Sequence, residues 1–365
     1  MKPIASCPSP LAVLEKFVVH QGLEPALFPG LARAANGDLL VSFCTRFDCQ
    51  PGGEAYLARS CDEGRTWSPP LKMLGSRMPD GCINLSVGLS TLRDGSLLYP
   101  CCDTRITRTW DQHDADLIIL RSGDHGRTWS SPAPIPVGVK EPFAYGKIVE
   151  LSDGDVLCPI WGKRAAEERW SSGVVRSHDG GRTWGEYTVI GYDPDAALVS
   201  GETDPTVFHC AGYNETTLLA LPDGRVLAVL RQQGVEGGRR ELESAMSVDG
   251  GRTWSAPARM ELWGTSPSLH LLPSGRIVLG YRNHLGNPQG LGEPGVGVSL
   301  SHDHGLTWSG HMLLEDPKGH QYAHEFEAGY PAFLTLGDGS VLAVFYSYDP
   351  ALPSERYLAA NILAL

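Results

Sequence analysis

The sequence predicts an all-β protein, a six-bladed β-propeller built from four-stranded antiparallel blades. Three observations support this prediction. An eight-residue motif occurs five times, a glycine-centred turn between apolar runs occurs six times, and the two signals are out of phase along the chain. Short strands at even spacing with a periodic glycine and aromatic motif are typical of propellers. We therefore expect residues 1–365 to form a single domain.

The repeated motif is Ser-x-Asp-x-Gly-x-Thr-Trp, which we call the box. Its five copies, identical at these five positions, are Ser60–Trp67, Ser122–Trp129, Ser177–Trp184, Ser247–Trp254 and Ser301–Trp308. We expect the aspartate to accept N–H groups of its own turn, the glycine to supply a positive φ, and the tryptophan to be buried between strands. The boxes are therefore predicted to be structural and not to form the active site.

The second signal is a tight hairpin turn between two short apolar runs. The six turns are Asn36-Gly37, Asp94-Gly95, Asp153-Gly154, Asp223-Gly224, Ser274-Gly275 and Asp338-Gly339. After most of these hairpins a variable loop leads to a third strand, which enters the next box. Each hairpin with its third strand therefore predicts most of one blade.

Six hairpins and five boxes predict that the last blade is incomplete. Its third strand is expected at Arg356–Leu363, and its missing outer strand at Val13–His20, close to the N-terminus. An N-terminal strand in this place would close the ring. Closure removes an exposed sheet edge that would otherwise invite aggregation.

Composition excludes some classes of partner. The net charge of -12 argues against nucleic acid or an anionic membrane as the main partner. No run approaches the roughly 18 apolar residues of a membrane span. The first ten residues, MKPIASCPSP, lack the apolar core of a signal peptide, and the nine cysteines are odd in number and scattered. These features predict a reduced, cytoplasmic protein, and the oligomeric state stays open.

The boxes and the order of the hairpins around them resemble the sialidase superfamily over essentially the whole chain. The box is specific for the fold and much less specific for the reaction. The resemblance implies that the boxes lie on the face away from the active site. The functional mouth would then be formed by the starts of the first strands and the ends of the second strands of each blade.

The residues at these predicted strand tips are mostly charged or aromatic. First strands begin near Leu27, Asn84, Tyr145, Glu215, Ser266 and Tyr330. Second strands end near Arg46, Asp103, Trp161, Arg231, Arg282 and Tyr346. Arginine binds a carboxylate in bidentate fashion, and Trp or Tyr packs against a sugar ring. The set predicts a site for a sugar that carries an acidic group.

The resemblance also implies a mechanism, since sialidases use a Tyr nucleophile activated by Glu, an Asp acid/base and three Arg on the substrate carboxylate. Tyr330, in GYPAF, matches the nucleophile, and Glu215, in NETTLLAL, matches its partner. Arg231 and Arg282 are the candidates for two of the three arginines. Asp48 is the candidate acid/base, with Glu54 in the same loop as its rival.

One departure from the family lies at the first arginine. Where sialidases carry Arg-Ile-Pro, this chain has Leu27-Phe28-Pro29. Arg46 on the adjacent strand is the candidate replacement. Further candidates for substrate contact are Trp161, Lys163, His324 and Glu327, of which the last two shortly precede Tyr330 and are also alternative acids.

No cofactor or metal is predicted. His320 and His324 would share a face only on a helix, which the nearby Gly319 and strand disfavour. The leading hypothesis is an exo-acting glycoside hydrolase for a terminal, acidic sugar. The alternatives are hydrolysis of a neutral sugar by a pair of carboxylates, elimination across a uronate, and a non-catalytic glycan-binding propeller.

Overall fold

A computed structural model describes the chain apart from residues 1–10, 48, 107–112, 165–168, 197–210, 234–240, 285–292 and 320–326. Within the described residues the regular structure is β-strand, together with a short 3₁₀ turn at Ser86–Gly88. No helix in this part of the chain is long and apolar enough to cross a membrane.

The strands follow one another in a repeating order of hairpin, third strand and box. The first ten are β1 (Ala12–His20), β2 (Leu27–Arg33), β3 (Leu39–Cys44), β4 (Glu54–Ser60), β5 (Leu71–Gly75), β6 (Cys82–Asn84), β7 (Ser90–Thr91), β8 (Leu97–Ile106), β9 (His113–Ser122) and β10 (Ala133–Pro134). The next nine are β11 (Val139–Ala144), β12 (Val149–Glu150), β13 (Val156–Arg164), β14 (Trp170–Ser177), β15 (Gly185–Tyr192), β16 (Gly212–Ala220), β17 (Val226–Gln233), β18 (Glu241–Ser247) and β19 (Ala258–Trp263). The last seven are β20 (Thr265–Leu271), β21 (Ile277–Asn283), β22 (Gly295–Ser301), β23 (Ser309–Leu314), β24 (Gly329–Thr335), β25 (Val341–Tyr348) and β26 (Arg356–Ala364).

All six predicted hairpins are confirmed. Antiparallel pairing joins β2 to β3, β7 to β8, β12 to β13, β16 to β17, β20 to β21 and β24 to β25. In each turn the glycine has a positive φ, between 82° at Gly275 and 94° at Gly37. Such a φ favours glycine because it has no Cβ to clash with the backbone.

Hydrogen bonding divides these strands into five sheets, where separate blades were expected to form six. Three sheets are four-stranded as predicted: β2 to β5, β20 to β23, and β1 with β24 to β26. A fourth has five strands, because its innermost strand is broken into β6 and β7 around the 3₁₀ turn. The fifth has nine strands, because a single parallel pair, Trp170 with Gly212, joins the group β11–β15 to the group β16–β19.

The N-terminal strand completes the last sheet, as predicted. β1 pairs antiparallel with β26, from Ala12 opposite Ala364 to His20 opposite Leu358. The two strands differ from their predicted bounds by one residue each. The beginning and the end of the described chain therefore belong to one sheet.

The boxes are built as expected. In the fourth box, Asp249 accepts hydrogen bonds from the Ser247 hydroxyl at 2.8 Å, from the Thr253 N–H at 2.8 Å and from the Thr253 hydroxyl at 2.6 Å. These three bonds recur in the other four boxes. The two hydrogen bonds from Thr253 contribute most, and together with the bond from Ser247 they lower the pKa of Asp249 to about 2. The expected burial of the box tryptophan holds only for Trp184, because the tryptophans of the other four boxes are half-buried.

The register of the strands separates the boxes from the predicted site. At one end of β17, Val226 pairs with Ser247, the first residue of a box, whereas Arg231 lies near the other end opposite Leu242. The hairpin turns and the boxes thus occupy one edge of the sheets, which we call the box edge. The starts of the first strands and the ends of the second strands lie at the opposite edge, which we call the mouth edge.

Candidate active site

Five residues near the starts of first strands share an unusual backbone conformation at the mouth edge. They are Phe28 (φ 54), Leu85 (φ 55), Glu215 (φ 38), Ser266 (φ 55) and Tyr330 (φ 56). Four of them fall where the pairing register of the first strand shifts, as in a β-bulge. Left-handed backbone costs about 1–3 kcal/mol at a residue other than glycine, and bulges re-aim side chains.

Two of these residues, Tyr330 and Glu215, meet directly. The Tyr330 hydroxyl donates a hydrogen bond of 2.5 Å to Oε1 of Glu215, 115 residues away in sequence. Oε2 of Glu215 accepts the Ser266 N–H at 2.9 Å and lies 2.9 Å from Nη1 of Arg231. Both Tyr330 and Glu215 are buried, with exposed fractions of 6% and 4%. The bulges of three sheets therefore converge on one carboxylate.

The electrostatics favour an ionised Glu215. Burial by itself raises the pKa of this carboxyl group, but Arg231, the Tyr330 hydroxyl and Arg282 together outweigh burial, so that the pKa lies below its usual value. A charged carboxylate that accepts the phenol hydrogen is placed to take that proton as the phenol oxygen attacks. The pair has the arrangement of a nucleophile with its base.

Arg282 belongs to the same cluster. Its guanidinium carbon lies 5.2 Å from the centroid of the Tyr330 ring, its Nε donates to the Ala328 carbonyl at 3.0 Å, and its Nη2 donates to the Tyr346 hydroxyl. Gly329 leaves room for this side chain, because a Cβ there would lie 2.7 Å from the Arg282 Nε and would displace the guanidinium. Arg282 is thus held against the ring of the candidate nucleophile.

Aromatic rings surround Tyr330 on its other sides. The Phe28 ring meets it edge-on at 4.7 Å, Tyr145 edge-on at 6.0 Å, and Tyr346 stacks on it at 6.0 Å, all between ring centroids. Phe47 packs edge-on against both Phe28 and Tyr346. Together with Tyr330 these rings form a set that we call the aromatic wall: Phe28, Phe47, Tyr145, Tyr330 and Tyr346.

The departure from the arginine pattern has a clear structural outcome. Leu27 is fully buried, and the next residue, Phe28, fills the side of Tyr330 that faces β2. Arg46 is half-exposed, binds the carboxylate of Glu24, and donates to the Thr45 carbonyl at 2.8 Å. The structure gives Arg46 no contact with Tyr330 or Glu215.

Trp161 and Lys163 do not join the cluster either. Lys163 is buried and lies 2.9 Å from the carboxylate of Glu141. The Trp161 ring stacks on Phe143 at 4.4 Å and meets Trp170 edge-on at 4.7 Å. One face of the Trp161 ring is therefore already covered by protein.

The candidates for the acid/base have different outcomes. Asp48 and His324 lie outside the described residues, as does His320. Glu54 binds Lys72 and accepts the Tyr56 hydroxyl at 2.9 Å, and these bonds, that of Lys72 first, lower its pKa. A carboxyl group with a lowered pKa is a poor proton donor, so the structure argues against Glu54 as the acid.

A groove opens at the mouth edge beside β8, β9 and β11. Its volume is about 570 Å³, and the side chains that line it include Met78, Arg105, Asp116 and Lys140. None of its lining residues belongs to the aromatic wall. Among the described residues there is no group of three or more His, Cys, Asp or Glu arranged to hold a metal ion.

The individual strand tips of the sequence do not predict the aromatic wall. Tyr145 and Tyr346 stand at predicted strand tips, but neither matches a residue of the sialidase mechanism. Phe28 precedes Pro29 as Tyr330 precedes Pro331, and the two occupy the same place in their hairpins. Comparing equivalent positions of the repeat is the signal that could have found Phe28.

The strand order and the boxes define the class: this is an all-β protein of the β-propeller type. Residues 107–343, more than half of the chain, match the model of the BNR repeat-like domain family. The chain therefore belongs to this family, within the sialidase superfamily of β-propellers.

Individual relatives agree with this assignment. A sialidase of Bacteroides fragilis (strain YCH46) is 27% identical over 367 residues, covering 88% of this chain and 60% of the relative. The chain thus spans less than two thirds of that sialidase. A Dyadobacter fermentans protein of unknown function has a TM-score of 0.77 at 20% identity, covering 98% of this chain and all of that one. The Hadza microbial sialidase Hz136 has a TM-score of 0.67 at 18% identity, covering 93% of this chain and 67% of its own.

Proposed function

We propose that this protein is an exo-acting, sialidase-like glycoside hydrolase that removes a terminal, acidic sugar from a glycan. The observation that carries the proposal is the 2.5 Å hydrogen bond from the Tyr330 hydroxyl to the buried carboxylate of Glu215. The similarity to the Bacteroides fragilis sialidase over 88% of this chain supports the same class of reaction.

In the proposed reaction the Tyr330 oxygen attacks the anomeric carbon and its proton passes to Glu215. The bond from the anomeric carbon to the leaving oxygen breaks, and a general acid protonates that oxygen. Asp48 is the proposed acid. A water molecule then attacks the anomeric carbon and gives a proton to the deprotonated Asp48. The bond from that carbon to Tyr330 breaks, and the phenol oxygen takes its proton back from Glu215. A neutral nucleophile suits an acidic sugar, because a carboxylate nucleophile would be repelled by the substrate's own charge.

Arg231 and Arg282 are the proposed binders of the acidic group. Each lies close to the reacting pair, Arg231 through its ion pair with Glu215 and Arg282 through its position over the Tyr330 ring. Guanidinium groups bind carboxylates through two parallel hydrogen bonds, which fixes the orientation of the sugar as well as its affinity.

The second candidate function is cleavage of a neutral sugar or elimination across a uronate. It is favoured by one observation, the replacement of the first family arginine by the buried Leu27 and the adjacent Phe28. Arg231 and Arg282 beside the ionised Glu215 favour the first candidate, because a neutral sugar carries no charged group for the two guanidinium groups to bind.

We also propose that the propeller has six blades. The nine-stranded sheet would count as two, since only the pair Trp170–Gly212 links its two antiparallel groups. Small-angle scattering or an experimental structure would test this count.

The test is a panel of aryl glycosides of sialic acid, other 2-keto-3-deoxy sugars, uronic acids, arabinose and rhamnose. Wild type would be compared with Glu215→Gln and with the control Glu243→Gln. Glu243 is a matched control because it is also buried and accepts a tyrosine hydroxyl, that of Tyr213 at 2.7 Å. We expect release from an acidic keto sugar, lost by about 10³-fold or more in Glu215→Gln alone.

Other outcomes would change the proposal. Release only from a neutral sugar would contradict the proposed acidic substrate but support the proposed hydrolase activity. An unsaturated, ultraviolet-absorbing product from a uronate would indicate elimination. Silence across the panel would contradict the hydrolase and leave a binding propeller.

A further inference from the structure

Arg356 stands at the mouth edge, outside the cluster formed by Tyr330, Glu215, Arg231 and Arg282. It is the first residue of β26 and pairs with Tyr348, the last residue of β25. Its guanidinium carbon lies 4.3 Å from the centroid of the Tyr348 ring and 5.3 Å from that of Phe47. Two aromatic rings therefore pack against this cation, an arrangement that positions a guanidinium without neutralising its charge.

The hydrogen bonds of Arg356 are incomplete. Nη1 donates to the carbonyl of the adjacent Glu355 at 3.2 Å, and Nε is buried with no acceptor among the described residues. Nor does any carboxylate in the described part of the chain form an ion pair with it, in contrast to Arg46, which binds Glu24. Burial lowers the pKa of Arg356, partly offset by Tyr346, Tyr348 and Glu327.

A desolvated donor without an acceptor is costly, about 1–3 kcal/mol for a neutral group and more for a charged one. Such a group in a native protein calls for an explanation, and a ligand is one of the accepted ones. The missing partner of Arg356 must be an acceptor, and an anion is the partner that suits a guanidinium best.

The aromatic wall links Arg356 to the candidate nucleophile. Phe47, on which Arg356 packs, lies 6.2 Å from Tyr346, and Tyr346 stacks on Tyr330 at 6.0 Å, both between ring centroids. Phe47 also meets Phe28, the neighbour of Leu27, at 6.4 Å. Arg356 is thus separated from Tyr330 by the rings of Phe47 and Tyr346, and the same Phe47 packs against the residue next to Leu27.

We propose that Arg356 is a third cationic contact for the acidic group of the substrate, supplied by β26 in place of the arginine that β2 lacks. This inference rests on the proposed function, because it concerns the charge of the sugar that the same site accepts. It makes Arg356 a determinant of specificity for acidic over neutral sugars.

The test measures binding by isothermal titration calorimetry, independently of turnover. The probes are free sialic acid and 2-keto-3-deoxynononic acid, each paired with its methyl ester, which has no charge. The variants are Arg356→Met, which keeps an apolar stem, Arg356→Lys, which keeps the charge, and Arg225→Met as the control. Arg225 lies at the box edge, where it pairs with Asp223, and its loss removes the same charge far from the mouth.

We expect wild type to bind at least one acid more tightly than its ester. Arg356→Met should weaken binding of that acid by about 10-fold or more and leave the ester unchanged, because one charge-assisted contact is lost. Arg356→Lys should lie between the two, and Arg225→Met should match wild type. The ratio of acid to ester within each variant stays meaningful even where a substitution lowers stability.

Two results would overturn the inference. If Arg356→Met weakened binding of acid and ester equally, Arg356 would only support the packing of Phe47. If wild type bound neither acid more tightly than its ester, the site would not distinguish a charged sugar from an uncharged one. Failure of the proposed function looks different: selective loss of acid binding in Arg356→Met, together with silence in the glycoside panel, would keep this inference and remove the hydrolase.

Discussion

The box edge and the mouth edge use the fold's repetition in opposite ways. At the box edge, five copies of one motif make the same three hydrogen bonds to the same aspartate position. At the mouth edge, five residues share one backbone conformation but carry five different side chains, among them Phe28, Glu215 and Tyr330. Repetition of both backbone and side chain marks stability, whereas a repeated backbone with varied side chains marks the site.

The two edges also differ in how far their interactions reach along the chain. Asp249 binds partners two and four residues away, within its own turn. Glu215 binds Ser266 and Tyr330, which are 51 and 115 residues away. A box can therefore form wherever its eight residues occur, but the mouth exists only after several sheets have assembled.

The largest effect is expected at Tyr330. Comparison with the buried Tyr281 separates the loss of a nucleophile from the loss of a buried hydroxyl group. Tyr330→Phe should reduce kcat by about 10³-fold or more, roughly 4 kcal/mol in activation free energy, because the nucleophilic oxygen is removed. Tyr281→Phe is the matched control, since Tyr281 is also buried and its hydroxyl lies 3.3 Å from that of Ser299. The measurement is kcat on the best aryl glycoside, with circular dichroism to verify folding. Similar losses in both variants would contradict a nucleophilic Tyr330.

The next effect concerns the side-chain amine of Lys147, which lies in the segment between β11 and β12. It donates to the Phe333 carbonyl at 3.1 Å, and burial lowers its pKa to about 8 from 10.5. Between these pH values the unfolded chain binds more protons than the folded one, so stability should rise with pH from about 8 to about 10.5. The gain should be of the order of 1–3 kcal/mol, using 1.36 kcal/mol for each unit.

The measurement for Lys147 is chemical denaturation at pH 7.5 and pH 10 in wild type, Lys147→Met and the exposed Lys140→Met. The pH-dependent gain should shrink only in Lys147→Met. Nearby His270, whose pKa burial lowers to about 3, contributes between pH 3 and 6.5 and so does not interfere. An unchanged pH dependence in Lys147→Met would mean that another group titrates in this window.

The smallest effect is expected at the box edge and on stability alone. Asp249→Ala leaves the Thr253 N–H and two hydroxyl groups without their acceptor, which should cost about 1–2 kcal/mol and lower Tm by a few degrees. Asp153→Ala, at a hairpin turn where the aspartate accepts one N–H from Asp155, should cost less. Differential scanning calorimetry and kcat/KM on folded protein would check this. A large loss of kcat/KM in Asp249→Ala would erase the distinction between the two edges.

Much of the fold could be predicted because its signals are local. The five boxes, the six glycine turns and the closing strand β1 were all readable as short patterns, and their bounds agree with the structure within a residue at β1 and β26. The number of separate sheets could not be read, because the parallel pair Trp170–Gly212 and the break between β6 and β7 depend on how neighbouring strands meet.

The sequence by itself determined the repeat, the hairpins, the closing strand and the residue types at the strand tips, since each follows from side chains within about a dozen positions. Only the tertiary structure decided which tips meet. It brought Tyr330, Glu215, Arg231 and Arg282 together, left Arg46 and Lys163 to other carboxylates, and set Phe28 against the candidate nucleophile. The reason is physical: bulges and the approach of one sheet to another fix side-chain directions, and neither is encoded in any short stretch of chain.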